Sequence, residues 1–257
     1  MLKSNIVVCS DVFEFLRTLP NNSIDLAIID PPYNLKQGDW DCFKTEDEFF
    51  SFTYKYIDEV IRVLKENGAI YIFNTAYNCA HILTYLLNKK MHYKNWITWY
   101  KKDGFSACKK KYCNSQETVL YFTKSEKNFV FNADDIRTPY MSSDRINAAK
   151  KTGILKNGKR WFPNEAGRLC TDVWEFTSVR HKNKVNGKTV KQNHPTPKPE
   201  EMVERMIKAS TKEGDLVLDL FCGTGTTSYC ARRLNRLFIA CDNNLEYCEY
   251  ARSRCKI

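Results

Sequence analysis

The sequence has no Cys-x-x-Cys pair, although it holds 11 cysteines. The nearest two, Cys108 and Cys113, have no matching His/Cys pair, which excludes the common zinc frameworks. The odd count and the absence of a leader-like start point away from a disulfide framework and toward a reduced, cytoplasmic protein. Cys9, Cys79, Cys230 and Cys241 sit in apolar runs, where a thiol behaves as a small hydrophobe. No stretch approaches ~18 uncharged apolar residues, so no membrane span is expected. No lysine follows the Gly223-x-Gly225 loop at P-loop spacing, so ATP hydrolysis is not expected. Internal repeats and low-complexity tracts are also missing.

What is present is a chain of 257 residues, 43% of them apolar. That is enough for one large domain, or one domain with an insert. The net charge of +10 suggests a polyanionic partner. The excess is local: Lys101 to Lys191 carry 20 Lys and Arg against 9 Asp and Glu. A solvated basic face is the plain reading of such a run, and its concentration favours nucleic acid.

Along the chain, apolar runs and amphipathic segments alternate. Strands are expected at Asn5–Cys9, Ile24–Ile29, Ala69–Phe73, Tyr93–Tyr100, Glu117–Thr123, Asp215–Phe221 and Arg236–Cys241. Helices are expected at Asp11–Leu19 with Ser10 as cap, Glu46–Leu64, Tyr77–Leu87, Glu200–Ala209, Thr226–Leu234 and Leu245–Lys256. This alternation is the signature of an α/β domain with a mostly parallel sheet. Glu117–Thr123 is placed to return antiparallel. Between Lys101 and Lys191 regularity fades, and Lys and Arg mingle with aromatics and amides. Such a mixture suits DNA: cations hold phosphates while amides and guanidinium groups read base edges.

Two stretches carry chemistry. Val217–Thr227 reads as a strand ending in Asp219, a Gly223-x-Gly225 turn, and hydroxyl residues that start a helix. Glycines permit close approach to the backbone. Asp242, ending the next strand, suits ribose hydroxyls. A nucleoside-containing cofactor is expected, and Asp219 suits a positively charged tail. The second stretch, Asp30-Pro31-Pro32-Tyr33-Asn34, follows a buried-type strand. Two prolines force the backbone out at the strand's carboxyl end, where open α/β sheets bind ligands. The Asp30 carboxylate, the Pro31 carbonyl and the Tyr33 ring define a slot for a planar group with an exocyclic amine. A rigid turn or a partner-binding loop is the alternative. One site from both stretches requires their strands to be neighbours.

Asp30-Pro31-Pro32-Tyr33 resembles the catalytic motif of DNA amino-methyltransferases. Asp219–Thr226 resembles their S-adenosylmethionine motif, and His194-Pro195-Thr196-Pro197-Lys198-Pro199 is similar to the segment preceding it. The order, catalytic motif first and cofactor motif last, is that of the β-class. Asn95–Trp99 and Gly153–Asn164 are similar to the MboII-type adenine methyltransferases. The resemblance implies a Rossmann-like methyltransferase fold, circularly rearranged, with a seven-stranded sheet 3-2-1-4-5-7-6 and strand 7 antiparallel. It implies a catalytic half over 1–100, strand 7 with a basic target-recognition insert over 101–191, and a cofactor half over 192–257. The cofactor residues it implies are Asp11, Asp30, Thr196, Lys198, Asp219, Phe221, Cys222, Gly223, Gly225, Thr226, Thr227 and Asp242. Asp11 would meet the adenine amine, and Thr196 and Lys198 the methionine carboxylate. Cys222 stands where the family varies, and Asp11 also suits a helix N-terminus in its own right.

The implied activity is site-specific N6 methylation of a flipped-out adenine in double-stranded DNA, in a restriction–modification system with a cognate endonuclease. Lys109, Lys110, Lys111, Lys159, Arg160, Lys182 and Lys184 are the expected DNA contacts. An asymmetric GAAGA-like target follows from the MboII-type stretches. Cytosine-N4 methylation fits the same slot, and Asp30 rather than Ser favours adenine by resemblance alone. Methylation of RNA or of a protein amine, and a DNA-binding module without catalysis, stay open as further readings.

Overall fold

The computed structural model describes residues 2–102, 109–178, 182–185, 188–191 and 197–257. The apolar run Ile6–Cys9 forms β1, and α1 follows at Val12–Thr18. Asp11, not Ser10, caps α1: its carboxylate accepts the amides of Phe13 and Glu14, satisfying two donors of the first turn. β2, Ile24–Ile29, is buried along its whole length. Its acid, Asp25, survives burial because Lys65 Nζ lies 2.8 Å away and the Leu216 amide donates to it at 2.9 Å.

α2 spans Glu46–Val63, with Thr45 as cap and three acids in its first turn, where the helix dipole favours them. β3, Leu64–Asn74, begins the moment α2 stops, earlier than the expected Ala69, and pairs with β2 across an irregularity between Ile24 and Leu26. α3 (Ala76–Asn88), β4 (His92–Tyr100) and β5 (Gln116–Thr123) complete the first half.

The central stretch is more regular than its composition suggests. It holds α4 (Ser143–Thr152), a hairpin of β6 (Ile154–Lys156) and β7 (Lys159–Trp161), β8 (Val173–Glu175), and a second hairpin of β9 (Lys182–Val185) and β10 (Lys188–Lys191). Asn157 and Gly158, with φ of 51° and 74°, make the tight turn of the first hairpin, a conformation that favours Asn-Gly. The final segment supplies α5 (Glu200–Ser210), β11 (Leu216–Asp219), α6 (Thr226–Arg233), β12 (Leu237–Asp242) and α7 (Leu245–Cys255).

The main sheet has eight strands, ordered β1-β12-β11-β2-β3-β5-β4-β8. β5 alone among them runs antiparallel to its neighbours. Counted from the glycine-loop strand β11 and continued from β12 to β1, the first seven positions read 3-2-1-4-5-7-6. The eighth, β8, was not expected; it adds to β4 through Val173–Glu175. Helices α1, α2 and α3 cover one face, burying Leu16, Tyr56, Val60 and Ile82 against β2 and β3. Helices α5, α6 and α7 cover the other, burying Met202, Met206, Ala231 and Ala251.

The central stretch is tied to this frame at several points. The Arg205 guanidinium of α5 stacks on Trp174 and Phe176 at 5.2 and 4.7 Å. Trp99 Nε1 donates to the Phe176 carbonyl at 2.9 Å. Among the described residues no helix is long and apolar enough to cross a membrane.

Candidate active site

β2 and β11 are parallel neighbours, with Val217 opposite Leu26 and Leu218 opposite Ala27. The two chemistry-bearing turns therefore leave the sheet side by side at the carboxyl ends of their strands. Pro31 and Pro32 are buried and bring β2 to its end, since neither can donate to a ladder. The loop beyond them is held by Asp41, which is 1% exposed. Its Oδ1 accepts the amides of Tyr33 and Asn34 at 2.6 and 2.7 Å, and its Oδ2 those of Leu35 and Gln37 at 2.8 and 3.2 Å. This grip sustains positive φ at Asn34 and Lys36, both 59°, a conformation that costs free energy for residues other than glycine. From α3, Asn78 Nδ2 donates to the Tyr33 carbonyl at 2.9 Å and to Asn74 Oδ1 at 2.7 Å.

The turn faces a cleft of about 1090 Å³. Asp30 and Tyr33 meet there with three residues that sequence reasoning missed or placed elsewhere. The Tyr33 hydroxyl is within donating reach of both Asp30 Oδ1, at 2.9 Å, and Glu117 Oε2, at 3.1 Å. Lys198 Nζ lies 2.9 Å from Asp30 Oδ2 and 3.5 Å from Glu117 Oε2. Lys101 pairs with the other oxygen of Glu117. Burial pushes the Tyr33 hydroxyl well above the usual phenol range, and the Asp30 and Glu117 carboxylates push it further. Burial would also raise Glu117, but Lys198 and Lys101 outweigh it and hold the carboxyl below its usual value. For Lys198, burial works against the charge, and Asp30 with Glu117 overcomes it and raises the ammonium. All three groups keep their ordinary protonation states at neutral pH.

Glu117 opens the strand read as returning antiparallel. Nothing local marks it, because its partner Tyr33 is 84 positions away. Asp41 stood in plain view beside Trp40, but its role depends on the loop folding back over it.

Leu220 and Phe221, at the head of the glycine loop, and Asp242 to Asn244 supply another part of the cleft wall. The Gly223 amide donates to Asp242 Oδ2 at 2.8 Å, and the Asn244 amide to Oδ1 at 3.0 Å. Gly223 and Gly225 have φ of 46° and 72°. A Cβ at Gly225 would stand 2.7 Å from the Ala251 Cβ, so the absence of a side chain here admits helix α7. Asp219 is buried, and its carboxyl is pushed up to about 7 by that burial, against the Thr227 and Phe221 hydrogen bonds that lower it. Asp30 and Asp242 add to the rise.

Of the residues expected to hold a cofactor, Asp11, Asp30, Lys198, Phe221 and Asp242 line the cleft. Asp219, Cys222, Gly223, Gly225, Thr226 and Thr227 do not line it, and instead shape the loop that presents Phe221. Arg254 on α7 donates to Thr226 Oγ1 at 3.2 Å. Thr196 lies outside the described residues. Lys198, expected at the cofactor's carboxylate, is engaged with Asp30 and Glu117.

Among the expected DNA contacts, Lys109, Lys110 and Lys111 are exposed, and Lys111 reaches the cleft wall with Asn114 and Gln116. Lys159 and Arg160 are exposed on the β6–β7 hairpin, where Arg160 also donates to the Thr152 carbonyl. Lys182 and Lys184 lie on β9, with side chains outside those described.

Comparison with known proteins gives a consistent picture. The N6/N4 methyltransferase family, described as DNA methylase, matches residues 24–253. The chain is 54% identical over 251 residues to the type II methyltransferase M1.MboII of Moraxella bovis, covering 98% of this chain and 96% of that one. It is 32% identical to the DNA adenine methyltransferase YhdJ of Escherichia coli (strain K12), covering 95% and 80% of the two chains. The crystal structure of the M1.HpyAVI–SAM complex superposes with a TM-score of 0.65 at 22% identity, covering 98% and 99%, a likeness of fold.

Proposed function

This chain belongs to the N6/N4 DNA methylase family, and from that premise we propose that it methylates the N6 amine of an adenine flipped out of double-stranded DNA, using S-adenosylmethionine. The observation that carries the reading is that Asp30 and Tyr33 line one cleft with Phe221, which follows β11, and with Asp242.

Adenine N6 is a poor nucleophile because its lone pair is delocalised into the ring. Asp30 accepts one amine hydrogen and the Pro31 carbonyl the other, which favours a pyramidal, nucleophilic nitrogen. The Tyr33 ring offers a face for the base. The cleft wall suits the cofactor: Asp242 and Asp11 present carboxylate oxygens for hydroxyl and amine groups, and Phe221 an aromatic face. S-adenosylmethionine, when bound, supplies a methyl group on an electrophilic sulfonium. Catalysis by this chain is then positioning and electrostatics. Lys109, Lys110, Lys111, Lys159, Arg160, Lys182 and Lys184 hold the DNA backbone.

The setting is a restriction–modification system in the cytoplasm, with an endonuclease acting on the same site, and a GAAGA-like target is the natural first one to assay. N4-cytosine transfer is the rival, because the family covers both amines and the slot would fit either.

The test is mass analysis of nucleosides from plasmid DNA incubated with the protein and cofactor. N6-methyladenine is expected, and Asp30→Ala should lower its formation at least about 100-fold while cofactor still binds. N4-methylcytosine would select the rival. The absence of any methylated nucleoside would overturn the reading in favour of a DNA-binding module. Long-read modification sequencing of the same DNA then gives the target.

A further inference from the structure

The Tyr33 hydroxyl has one hydrogen and two carboxylates within reach: Asp30 Oδ1 at 2.9 Å and Glu117 Oε2 at 3.1 Å. Asp30 Oδ2 is already engaged with Lys198 at 2.9 Å. Both oxygens of the acid that must accept a target amine are thus occupied. An oxygen holding one strong hydrogen bond accepts a second less well, so the hydroxyl competes with the amine for Oδ1. Simply expelling it would leave a polar group without a partner in a mostly buried site, which is costly.

Glu117 removes that cost. It sits at the head of β5 and comes to Tyr33 only because β5 runs antiparallel beside β3. Lys101 and Lys198 hold its carboxylate in place from two sides. We infer that Glu117 is a positioning residue for methyl transfer: it takes the Tyr33 hydroxyl hydrogen when the target amine docks and so frees Asp30 Oδ1 to accept the amine. No covalent bond changes in the exchange. The phenol O–H rotates from one carboxylate to the other and stays protonated, as its raised pKa requires. The inference rests on the methyltransferase reading of Asp30.

Glu117→Gln tests it. The isosteric amide offers one oxygen where Tyr33, Lys101 and Lys198 now share two. Single-turnover methyl transfer to plasmid DNA should fall about 10- to 100-fold, the rate equivalent of one unpaired buried hydroxyl. Cofactor affinity by titration calorimetry should stay within about 2-fold. Tyr33→Phe removes the competing hydroxyl. Adding Glu117→Gln to that variant should therefore change its rate less than about 2-fold, the non-additivity of residues acting on one another.

Glu117→Asp keeps the charge while withdrawing the carboxylate from Tyr33. It should reproduce the loss with Tyr33 intact and none without it, and it serves equally if the Gln variant folds poorly. A wild-type rate in Glu117→Gln overturns the inference, as does an equal loss in the Tyr33→Phe background. A wild-type protein with no methyl transfer at all overturns the functional reading and this inference together.

Discussion

Lys198 Nζ stands between two carboxylates, 2.9 Å from Asp30 Oδ2 and 3.5 Å from Glu117 Oε2, on a side chain 8% exposed. Removing this cation as Lys198→Met leaves Asp30 without its ion-pair partner and Glu117 with Lys101 alone. Breaking a buried pair from one side costs about 3–5 kcal/mol. Urea denaturation should show a loss of that order, and methyl transfer should fall even where the variant is fully folded. A variant as stable as wild type would mean that the pair is screened by solvent.

Asp41 carries four backbone amides on one buried carboxylate. Asp41→Ala leaves them without partners and should cost about 2–4 kcal/mol. Hydrogen exchange at residues 33–37 should accelerate ahead of global unfolding. Asp41→Asn retains one acceptor oxygen, and should protect either Tyr33 and Asn34 or Leu35 and Gln37, but not both pairs. Unchanged exchange in the Ala variant would assign the loop's order to Asn78 instead.

Asp219 gives a pH dependence of definite sign. Its folded pKa, about 7, lies above its unfolded value because burial penalises the carboxylate. The unfolded chain then releases the proton first, so this contribution to stability is present in acid and is lost as pH rises from about 4 through 7. Asp219→Asn cannot ionise. The variant should therefore lack that decline, and the difference between variant and wild-type stability should move by about 2–4 kcal/mol between pH 5 and pH 8. Thermal melts across that range check it, and parallel curves for the two proteins would place the proton elsewhere.

The parts of the site visible in the sequence were those built from residues that constrain their own backbone. Pro31 and Pro32 can only end a strand, and the Gly223-x-Gly225 turn announces itself because few other residues adopt its φ values. What stayed hidden depends on partners far along the chain. Glu117 looks like any acid at a strand edge until β5 is laid beside β3. Lys198 was expected at the cofactor's carboxylate, and its pairing with Asp30 and Glu117 was not foreseen. Gly225 was read as room for a ligand, and the contact its missing Cβ allows with Ala251 was not foreseen. The basic stretch looked irregular because its elements are short: β6, β7 and β8 have three residues each, too few to show a period.

Lys109, Lys110 and Lys111 are exposed, and Lys111 reaches the cleft. Replacing all three with Ala should weaken DNA binding and reduce the salt slope by about 0.9 for each phosphate that is no longer neutralised. Fluorescence anisotropy over a range of salt concentrations measures it. An unchanged slope would move the DNA surface to the β6–β7 hairpin.

β1 has one neighbour in the sheet, β12, and Arg252 of α7 clasps it through the Val7 carbonyl at 2.9 Å. On the ribosome, then, the earliest strand must wait for almost the last. The acid turn at Asp30 emerges long before the loop it works with, and β2 spends that interval with one edge open. Completion of this half of the sheet therefore waits for β11 and β12, and a nascent chain stalled before β11 would expose an apolar strand edge of the kind chaperones bind.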